Sequence, residues 1–285
     1  MITIRELRRR IRSIKNIEHI TSAMQRVSAA RLGKARHRLM NVRPYAETIE
    51  EMACGLSAEY NVRDHPLFRK NSGNKILVIA IAADKGLCGS YNSAIAARLD
   101  SMIKSQGGAQ VEALACGKKI RDYCRRKNVS LFGERLNIPV FFKFKFASEL
   151  AENVMAAYES GRFSQVHLLY TRFVSLRRQE PVLEQLLPFS FIACNEGSAA
   201  QDYIYEPGPK AIMQGLIPAS IRARMWQALL ESSASEHVMR MMMMEQASVN
   251  ADKVITELVR TANKLRQAMI TKELSEIVGT SEALK

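Results

Sequence analysis

Side chains that could carry out catalysis or bind a metal are few and scattered in this chain of 285 residues. Its five cysteines include no CxxC pair, and its five histidines show no HExxH or similar metal-ligating spacing. An odd number of cysteines without such pairs argues against a disulfide framework or a zinc site. No GxSxG nucleophile motif and no paired-carboxylate pattern occurs. We therefore expect reduced thiols, and we predict no catalytic, metal or cofactor site.

The best candidate for a binding site is the glycine-bearing loop DKGLCGSYN at residues 84–92. It follows an apolar run and opens a helix, which is where glycine-rich loops bind phosphate. However, it matches neither GxGxxG nor GxxxxGK[ST], and no acidic residue is placed for ribose or Mg²⁺. Cys88 could be a reactive thiol at the helix N-terminus, but no neighbouring His or Asp could act as its base. We favour a tight turn that needs Gly86 and Gly89 over a nucleotide site.

This loop lies in a middle segment where strand and helix patterns alternate. After Lys75, residues 76–82 are continuously apolar, as in a strand that is buried on both faces of a sheet. The predicted strands are 75–82, 111–116, 141–146 (exposed), 165–174 and 181–188, and the predicted helices are 92–104, 118–127 and 150–158. This alternation predicts a Rossmann-like α/β domain with a mostly parallel sheet, whose last two strands form a hairpin.

Two long helices are predicted at the chain ends. Residues 219–285 contain no proline and one glycine, so a helix there would be roughly 100 Å long. The N-terminal segment has no proline before Pro44. Its helix is expected to resume at Tyr45 and to end near Gly55. The predicted boundaries are 1–57 and 209–283 for the terminal helices, and 74–195 for the α/β insert.

Apolar spacing predicts that these helices pair as an antiparallel coiled coil. In the N-terminal row, the apolar residues follow heptad spacing as far as Ile14 and then slip by one residue. Such a slip is a stammer, which locally changes the supercoil. The N-terminal row is Ile4, Leu7, Ile11, Ile14, Ile17, Ile20, Met24 and Val27, and the C-terminal row is Ile212, Leu216, Met225, Leu229, Val254, Leu258, Leu265 and Met269. The longer C-terminal helix should overhang its partner, so its tip needs burial in another protein.

The positive charge is concentrated at the N-terminus. The net charge is +14, and residues 1–43 hold 12 basic but only 2 acidic side chains. Such a segment suggests an anionic partner: nucleic acid, lipid headgroups or an acidic protein surface. No apolar run is long enough to span a bilayer, and the start lacks a secretory signal, so we expect a bacterium-like cytoplasmic protein.

The C-terminal helix also carries a methionine run, MRMMMM, at residues 239–244. Four consecutive residues point in four directions and cannot all face one seam. Two interpretations remain open at this point. The run is either ordinary core packing by a flexible side chain, or part of a helix that is apolar nearly all round and is covered by something besides its coiled-coil partner.

Several motifs in register resemble the gamma subunit of the rotary F-type ATP synthase. They are IKNIEHITSAMQRVSAARL near the start, ADKGLCGSYN, LLP, YIYEP, and LRQAMITKELSEIVG in the tail. The resemblance covers essentially the full length in the expected order. The sequence departs from the family pattern at residues 248–251 (SVNA), at residues 90 and 91, and at Met269.

The resemblance implies a non-catalytic rotor. The terminal helices would form a shaft inside a hexamer of three alpha and three beta subunits. The insert would form a foot, with the epsilon subunit, on the membrane ring of c subunits. Proton flow would turn the rotor and drive ATP synthesis, or ATP hydrolysis would run it in reverse. The complex would lie at the cytoplasmic face of the bacterial inner membrane, with this chain peripheral and without nucleic acid.

The same resemblance implies particular contact residues. The implied rotor–stator contacts are Met24, Arg240, Arg266, Gln267, Thr271 and Glu273, and the implied foot-loop residues are Lys85, Gly86, Cys88 and Gly89. Two other functions stay open on the residues alone. One is nucleic-acid binding by the basic helix, although no RNP-like motif or zinc finger accompanies it. The other is a nucleotide-dependent enzyme that uses the 84–92 loop.

Overall fold

The computed structural model describes residues 3–59, 65–106, 110–190, 206 and 208–283. The chain divides into two compact units. Unit 1 comprises Met1–Ser28 and Arg240–Lys285, and unit 2 comprises Ala29–Met239. The helices are α1 (Ile4–Glu59), α2 (Tyr91–Ser105), α3 (Lys118–Arg126), α4 (Phe144–Glu159) and α5 (Pro209–Ala283), and the strands are β1 (Lys75–Ile81), β2 (Gln110–Cys116), β3 (Ser130–Arg135), β4 (Gln165–Phe173) and β5 (Gln179–Leu187).

Unit 2 contains a five-stranded sheet of order β3-β2-β1-β4-β5. The first four strands pair in parallel, and β5 closes one edge as an antiparallel partner of β4. β1 is the central strand, and its residues 76–81 are all buried, which explains its uninterrupted apolar sequence. The α/β fold class and the terminal hairpin are therefore confirmed.

One predicted strand in unit 2 is wrong, and one real strand was missed. Residues 141–143 form a turn and residues 144–146 are the first turn of α4, although the alternation of Phe and Lys in this segment has the period of a strand. The aromatic rings pack instead as a cluster, in which Phe142 and Phe144 both contact Trp226 edge to face. The missed strand, β3, is a half-buried edge strand with an internal Gly133, so it shows neither a continuous apolar run nor clean alternation.

In unit 1, the N-terminal part of α1 packs antiparallel on the C-terminal part of α5. The predicted stammer is wrong, because the buried row of α1 keeps strict heptad spacing after Ile14. Its next members are polar or small: Glu18, Thr21, Gln25 and Ser28. Across the interface, Ser248 Oγ donates a hydrogen bond of 3.2 Å to Glu18 Oε1, and Thr21 Oγ1 donates one of 3.3 Å to Ser248 Oγ.

As a result, three residues of the predicted apolar row face outward. Ile17 is 53% exposed, Ile20 is 59% exposed and Val27 is 49% exposed. Met24, from the same row, is partly buried. The spacing of apolar residues predicted that Ile17 and Ile20 lie in the seam, but hydrogen bonds to Ser248 favour burial of Glu18 and Thr21 there instead.

On the α5 side of the unit 1 seam, the predicted row is correct at Leu258 and Leu265 and wrong at its other two members. Val254 and Met269 are exposed, and the partly buried residues are Ile255, Leu258, Ala262 and Leu265. All side chains from 266 to 280 are exposed. This agrees with the predicted overhang of the C-terminal helix.

The methionines of the run differ in burial and in contacts according to their position along α5. Within unit 1, Met244 is buried in the seam, whereas Met242 and Met243 are 39% and 37% exposed. Within unit 2, Met239 packs against the cluster of Ala83, Cys88 and Tyr91. Each open interpretation of the run is therefore correct for part of it.

Two local expectations about α1 are also corrected. The helix continues through Pro44 without interruption. Cys54 is disulfide-bonded, so the expectation that all thiols are reduced is wrong. The remaining described cysteines, Cys88, Cys116 and Cys124, are buried thiols outside any disulfide.

Candidate functional site

The 84–92 loop is held by the carboxylate of Asp84, which joins three loops of unit 2. Its Oδ1 accepts hydrogen bonds from the backbone amides of Lys118, at 3.0 Å, and Asn137, at 3.1 Å. Its Oδ2 accepts one from the amide of Ile138, at 2.9 Å. The carboxylate thus occupies the amide at the N-terminus of α3, a group that could otherwise bind an anion.

Close approach at this point requires glycine at position 117. Gly117 has a φ of 109°, and a Cβ there would lie 2.2 Å from the carbonyl oxygen of Ala82. Any side chain would push the β2–α3 loop away from the end of β1. The glycine therefore allows Asp84 to reach the amide of Lys118.

Cys88 is a buried structural residue of the same loop. It is 1% exposed, and Asn92 Nδ2 donates a hydrogen bond of 3.1 Å to its sulfur. The amide oxygen of Asn92 accepts from the backbone N–H of Ala83, at 3.0 Å. Burial of this thiol and its use in a local hydrogen-bond network favour a tight βα turn over a nucleophile.

The two glycines of the loop, Gly86 and Gly89, differ in backbone conformation. Gly89 has a φ of 56°, as a tight turn requires. Gly86 does not adopt the left-handed conformation, and Leu87 does so instead, with a φ of 62° and a side chain that is 61% exposed. The expectation that the turn needs the left-handed freedom of both glycines is therefore wrong for Gly86. Lys85 and Gly86 also make interactions within the chain.

A second polar site, which the sequence interpretation missed, joins α5 to the sheet. β1 pairs with β4 only as far as Leu169, so the edge of β4 beyond it is left to another partner. Three side chains of α5, on Glu231, Ser232 and Ser235, occupy this edge, and we call them the α5–β4 clamp. The signal was present as the small polar run ESSAS in an otherwise apolar stretch of helix.

The clamp satisfies the backbone groups of β4 one by one. Ser232 Oγ accepts from the amide of Thr171, and Ser235 Oγ donates to the carbonyl of Thr171, both at 3.2 Å. Glu231 Oε2 accepts from the amide of Phe173, also at 3.2 Å. All three clamp side chains are at most 2% exposed, so these bonds replace water that cannot enter.

The charge of Glu231 is balanced from α1. Arg43 Nη2 lies 3.2 Å from Glu231 Oε1 and also donates to the carbonyl of Phe173, at 2.8 Å. Nearby, burial is the main reason that the pKa of Tyr170 is raised, and the carboxylates of Glu184 and Glu231 add to it. The clamp therefore ties both long helices to one strand of the sheet.

The residues implied as rotor–stator contacts all lie in unit 1, but the structure does not bring them into one cluster. Arg240 is 6% exposed and makes interactions within the chain, and Met24 is partly buried. The tail residues Arg266, Gln267, Thr271 and Glu273 are all exposed. Thr271 Oγ1 donates to the carbonyl of Gln267 within the helix, at 3.0 Å.

Two other kinds of feature are absent from the part of the chain that the structure describes. No group of three or more His, Cys, Asp or Glu side chains there could hold a metal ion. No described helix is long and apolar enough to cross a bilayer.

Comparison with known proteins assigns the family. A family model described as ATP synthase matches residues 3–284. The ATP synthase gamma chain of Heliobacterium modesticaldum is 38% identical, over 99% of each chain. The chain belongs to the ATP synthase gamma-chain family. A second member, from Pelotomaculum thermopropionicum, is 37% identical over the whole of both chains.

Solved structures have the same fold as this gamma-family chain. A chain of the Euglena gracilis mitochondrial ATP synthase, from a structure of OSCP, F1 and c-ring, aligns with a TM-score of 0.68 at 18% identity and covers 99% of this chain and 94% of that one. A chain from the central stalk and c-ring of the Tetrahymena thermophila mitochondrial enzyme aligns with a TM-score of 0.61 at 25% identity, covering 80% and 99%. Membership of the gamma family gives no support to nucleic-acid binding by the basic helix.

Proposed function

We propose that this chain is the non-catalytic central-stalk rotor of an F-type ATP synthase. In this proposal, unit 1 turns inside a hexamer of three alpha and three beta subunits, and the α/β part of unit 2 is the foot that meets an epsilon subunit and a ring of c subunits. The predicted insert 74–195 would be the core of that foot. Rotation couples proton flow through the ring to ATP synthesis or hydrolysis, and the catalytic groups belong to the hexamer.

The observation that carries this proposal is the distribution of exposed apolar side chains. Of the 21 large hydrophobic residues that are exposed among those described, 13 lie in unit 1, the smaller of the two units. They occur on α1 and along the overhanging part of α5. Exposed apolar surface of this extent marks contact with another protein.

The chemistry of that surface suits a rotating contact. Apolar contact is non-directional, so a helix such as the α5 tail can turn within an apolar collar without one preferred angle. The basic side chains of α1, among them Arg8, Arg9 and Arg12, are exposed and remain hydrated. Exposed charges attract an acidic surface weakly and are screened by salt, so they do not hold a single orientation tightly.

We propose six residues as the stator contacts. They are Met24, Arg240, Arg266, Gln267, Thr271 and Glu273. The exposed position of the four tail residues supports their part in this list. Arg240, which is 6% exposed, offers the hexamer far less surface, so its contribution would be mainly to position its neighbours.

The foot needs a firm connection to the shaft helices, and the α5–β4 clamp supplies one. Torque that enters the sheet at β4 reaches α5 through buried hydrogen bonds and reaches α1 through Arg43. The 84–92 loop, with Lys85, Gly86, Cys88 and Gly89, belongs to a region whose cluster of Ala83, Cys88 and Tyr91 packs against Met239 of α5. We place the whole assembly at the cytoplasmic face of a bacterial inner membrane, with this chain held there by its partners.

Affinity purification of the tagged chain from membranes tests this proposal. We expect ATP synthase alpha, beta, epsilon and c subunits to co-purify, and the isolated chain to show no ATPase activity. Recovery of RNA without ATPase subunits would instead support the nucleic-acid alternative. ATP hydrolysis by the isolated chain that is lost on substitution of Gly86 and Gly89 would support the nucleotide-enzyme alternative.

A further inference from the structure

The seam of unit 1 changes in character along its length. From Ile4 to Ile14, the heptad row of α1 is wholly aliphatic, and the partly buried residues of α5 between 255 and 265 are aliphatic as well. Beyond Ile14, the α1 row continues with Glu18 and Thr21, which meet Ser248 of α5 through hydrogen bonds. A polar contact of three side chains therefore follows an apolar seam that could have continued without it.

The contact between Thr21 and Ser248 shows how far each helix lies along the other. In an antiparallel pair, each step of seven residues back along α1 is matched by a step of seven forward along α5. Starting from Thr21 opposite Ser248, one such step places Ile14 level with Ile255. Both isoleucines are partly buried, as this register requires.

The aliphatic part of the seam does not select this register by itself. Its apolar residues repeat at the same seven-residue interval on both helices, so a slip of one heptad would set them against other aliphatic side chains. Such a slip is roughly 10 Å along the axis. Because hydrophobic contact is non-directional and scales with buried area, the slipped pair would keep most of it.

The polar residues do distinguish the registers. In the observed one, Ser248 Oγ donates to Glu18 Oε1 at 3.2 Å, and Thr21 Oγ1 donates to Ser248 Oγ at 3.3 Å. A one-heptad slip in one direction would bring Ser248 level with Ile14, and a slip in the other would bring Thr21 level with Ile255. Either slip separates polar groups from their partners inside a seam, which is unfavourable.

The side chains of this contact are shielded enough from water for that mismatch to matter. Thr21 is 9% exposed, and the side chain of Glu18 is 29% exposed. The Thr21 hydroxyl also donates to the carbonyl oxygen of Glu18 in its own helix, at 2.9 Å. The other carboxylate oxygen of Glu18 faces the ring of His19, which is 79% exposed and adds little. Ser248 is thus the partner of the carboxylate within the seam.

We propose that Glu18, Thr21 and Ser248 form a register pin, a polar contact that permits one axial alignment of α1 and α5 in unit 1. A polar side chain in a coiled-coil seam specifies register at a cost in stability relative to an apolar one. The pin goes beyond the rotor function and depends only on contacts within unit 1. In the rotor that we propose, the same contact resists sliding of the two helices under torque, because hydrogen bonds are directional.

Spin-label distances in the isolated full chain read the register directly. Nitroxides are attached through the ketone of p-acetylphenylalanine in place of Arg9 and Glu245, which are exposed on α1 and α5. Attachment through a ketone leaves the native cysteines unmodified. A slip of one heptad changes the axial separation of the labels by roughly 10 Å, which pulsed electron paramagnetic resonance resolves. We expect one narrow distance for the chain with its pin intact.

The pin variant replaces all three polar side chains with apolar ones, Glu18→Leu, Thr21→Val and Ser248→Ala. Its matched control makes the same changes at exposed positions of unit 1: Glu257→Leu, Thr256→Val and Ser13→Ala. The pin variant should show a second distance, roughly 10 Å longer or shorter, whereas the control should keep one. Amide hydrogen exchange over residues 4–28 should be no faster in the pin variant than in the control, since an apolar seam is at least as stable.

Two conservative variants separate the hydroxyl from the rest of the side chain. Thr21→Ser and Ser248→Thr each keep a hydroxyl in the seam and should keep the single distance, and a second distance in either would refute the pin. One unchanged distance in the pin variant would also overturn the proposal, because the aliphatic part of the seam would then set the register. Hydrogen exchange about tenfold or more faster in the pin variant than in the control would make the three residues ordinary stabilising contacts instead.

Discussion

Removal of the Glu231 carboxylate is the sharpest test of the clamp. In a Glu231→Ala chain, the amide of Phe173 loses its acceptor while it remains buried, and Arg43 and Gln227 lose the same partner. An unsatisfied buried amide costs about 1–3 kcal/mol. The side chain of Arg43 is 38% exposed, so its lost ion pair adds only about 0–1 kcal/mol.

We therefore expect the free energy of unfolding of unit 2 to fall by about 1–4 kcal/mol, as the sum of these effects. A Glu231→Gln chain keeps an acceptor for Phe173 and should lose only about 1 kcal/mol. The control is Glu149→Ala, because Glu149 is 59% exposed and its ion pair with Lys145 is 3.9 Å long. That substitution should change stability by less than about 0.5 kcal/mol.

Urea unfolding followed by Trp226 fluorescence measures these differences. With a slope of about 1–3 kcal/mol per molar urea, the Glu231→Ala midpoint should fall by roughly 1 M at an unchanged slope. If Glu231→Ala unfolds at the same urea concentration as Glu149→Ala, the hydrogen bonds of the clamp do not stabilise unit 2. The torque path that we assign to it would then lose its basis.

Four further outcomes are expected. Deletion of residues 274–285 should abolish ATP-driven proton pumping by the assembled complex while the Trp226 unfolding curve stays the same; unchanged pumping would remove the α5 tail from the coupling mechanism. Ile20→Asp should block co-purification with the hexamer, whereas Met40→Asp, a similarly exposed residue of unit 2 at 57% against 59%, should not; equal recovery would refute an apolar contact at α1. Burial raises the pKa of the Cys116 thiol to about 12, so the unfolded chain loses this proton first, and this thiol should lower the free energy of unfolding by up to about 1.4 kcal/mol per pH unit above about pH 8.5. Cys116→Ala should reduce the slope, and the part that remains is expected from the Cys124 thiol, whose pKa burial raises to about 11. Cys54 should react with a maleimide only after reduction and denaturation, and labelling of the untreated chain, read by mass spectrometry of its peptides, would contradict the disulfide.

The parts of the fold that the sequence predicted are those in which one residue pattern has one physical solution. β1 is apolar without interruption because it is the middle strand of a parallel sheet, and that pattern was sufficient to predict it. The long helices followed from the scarcity of proline and glycine. The proposed boundaries 1–57, 74–195 and 209–283 stay predictions.

The errors arose where a polar residue was more buried than an apolar neighbour. The stammer was inferred because Ile17 and Ile20 are more hydrophobic than Glu18 and Thr21. In the structure, hydrogen bonds with Ser248 stabilise Glu18 and Thr21 in the seam. The spacing of residues in α1 alone could not predict this contribution from α5. The rotor function that we propose explains the exposure of Ile17 and Ile20 by contact with a partner protein.

The clamp could not be predicted, because it depends on where β1 ends relative to β4. The polar run at 231–235 indicated an unusual environment but not its partner. Only the register of the sheet shows that Thr171 and Phe173 have free backbone groups on that side. For the same reason, the sequence did not show that Trp226 would gather the rings of Phe142 and Phe144 and turn a strand-like segment into a cluster.

The central claim is that this chain rotates within an ATP synthase, and single-molecule rotation tests it most directly. The complex is reconstituted with alpha and beta subunits fixed to a surface, and a probe is attached to unit 2 at Lys127→Cys, an exposed position on the α/β part. We predict continuous rotation in one direction that begins with ATP and stops when ATP is removed. A probe that stays still while the complex hydrolyses ATP would contradict it.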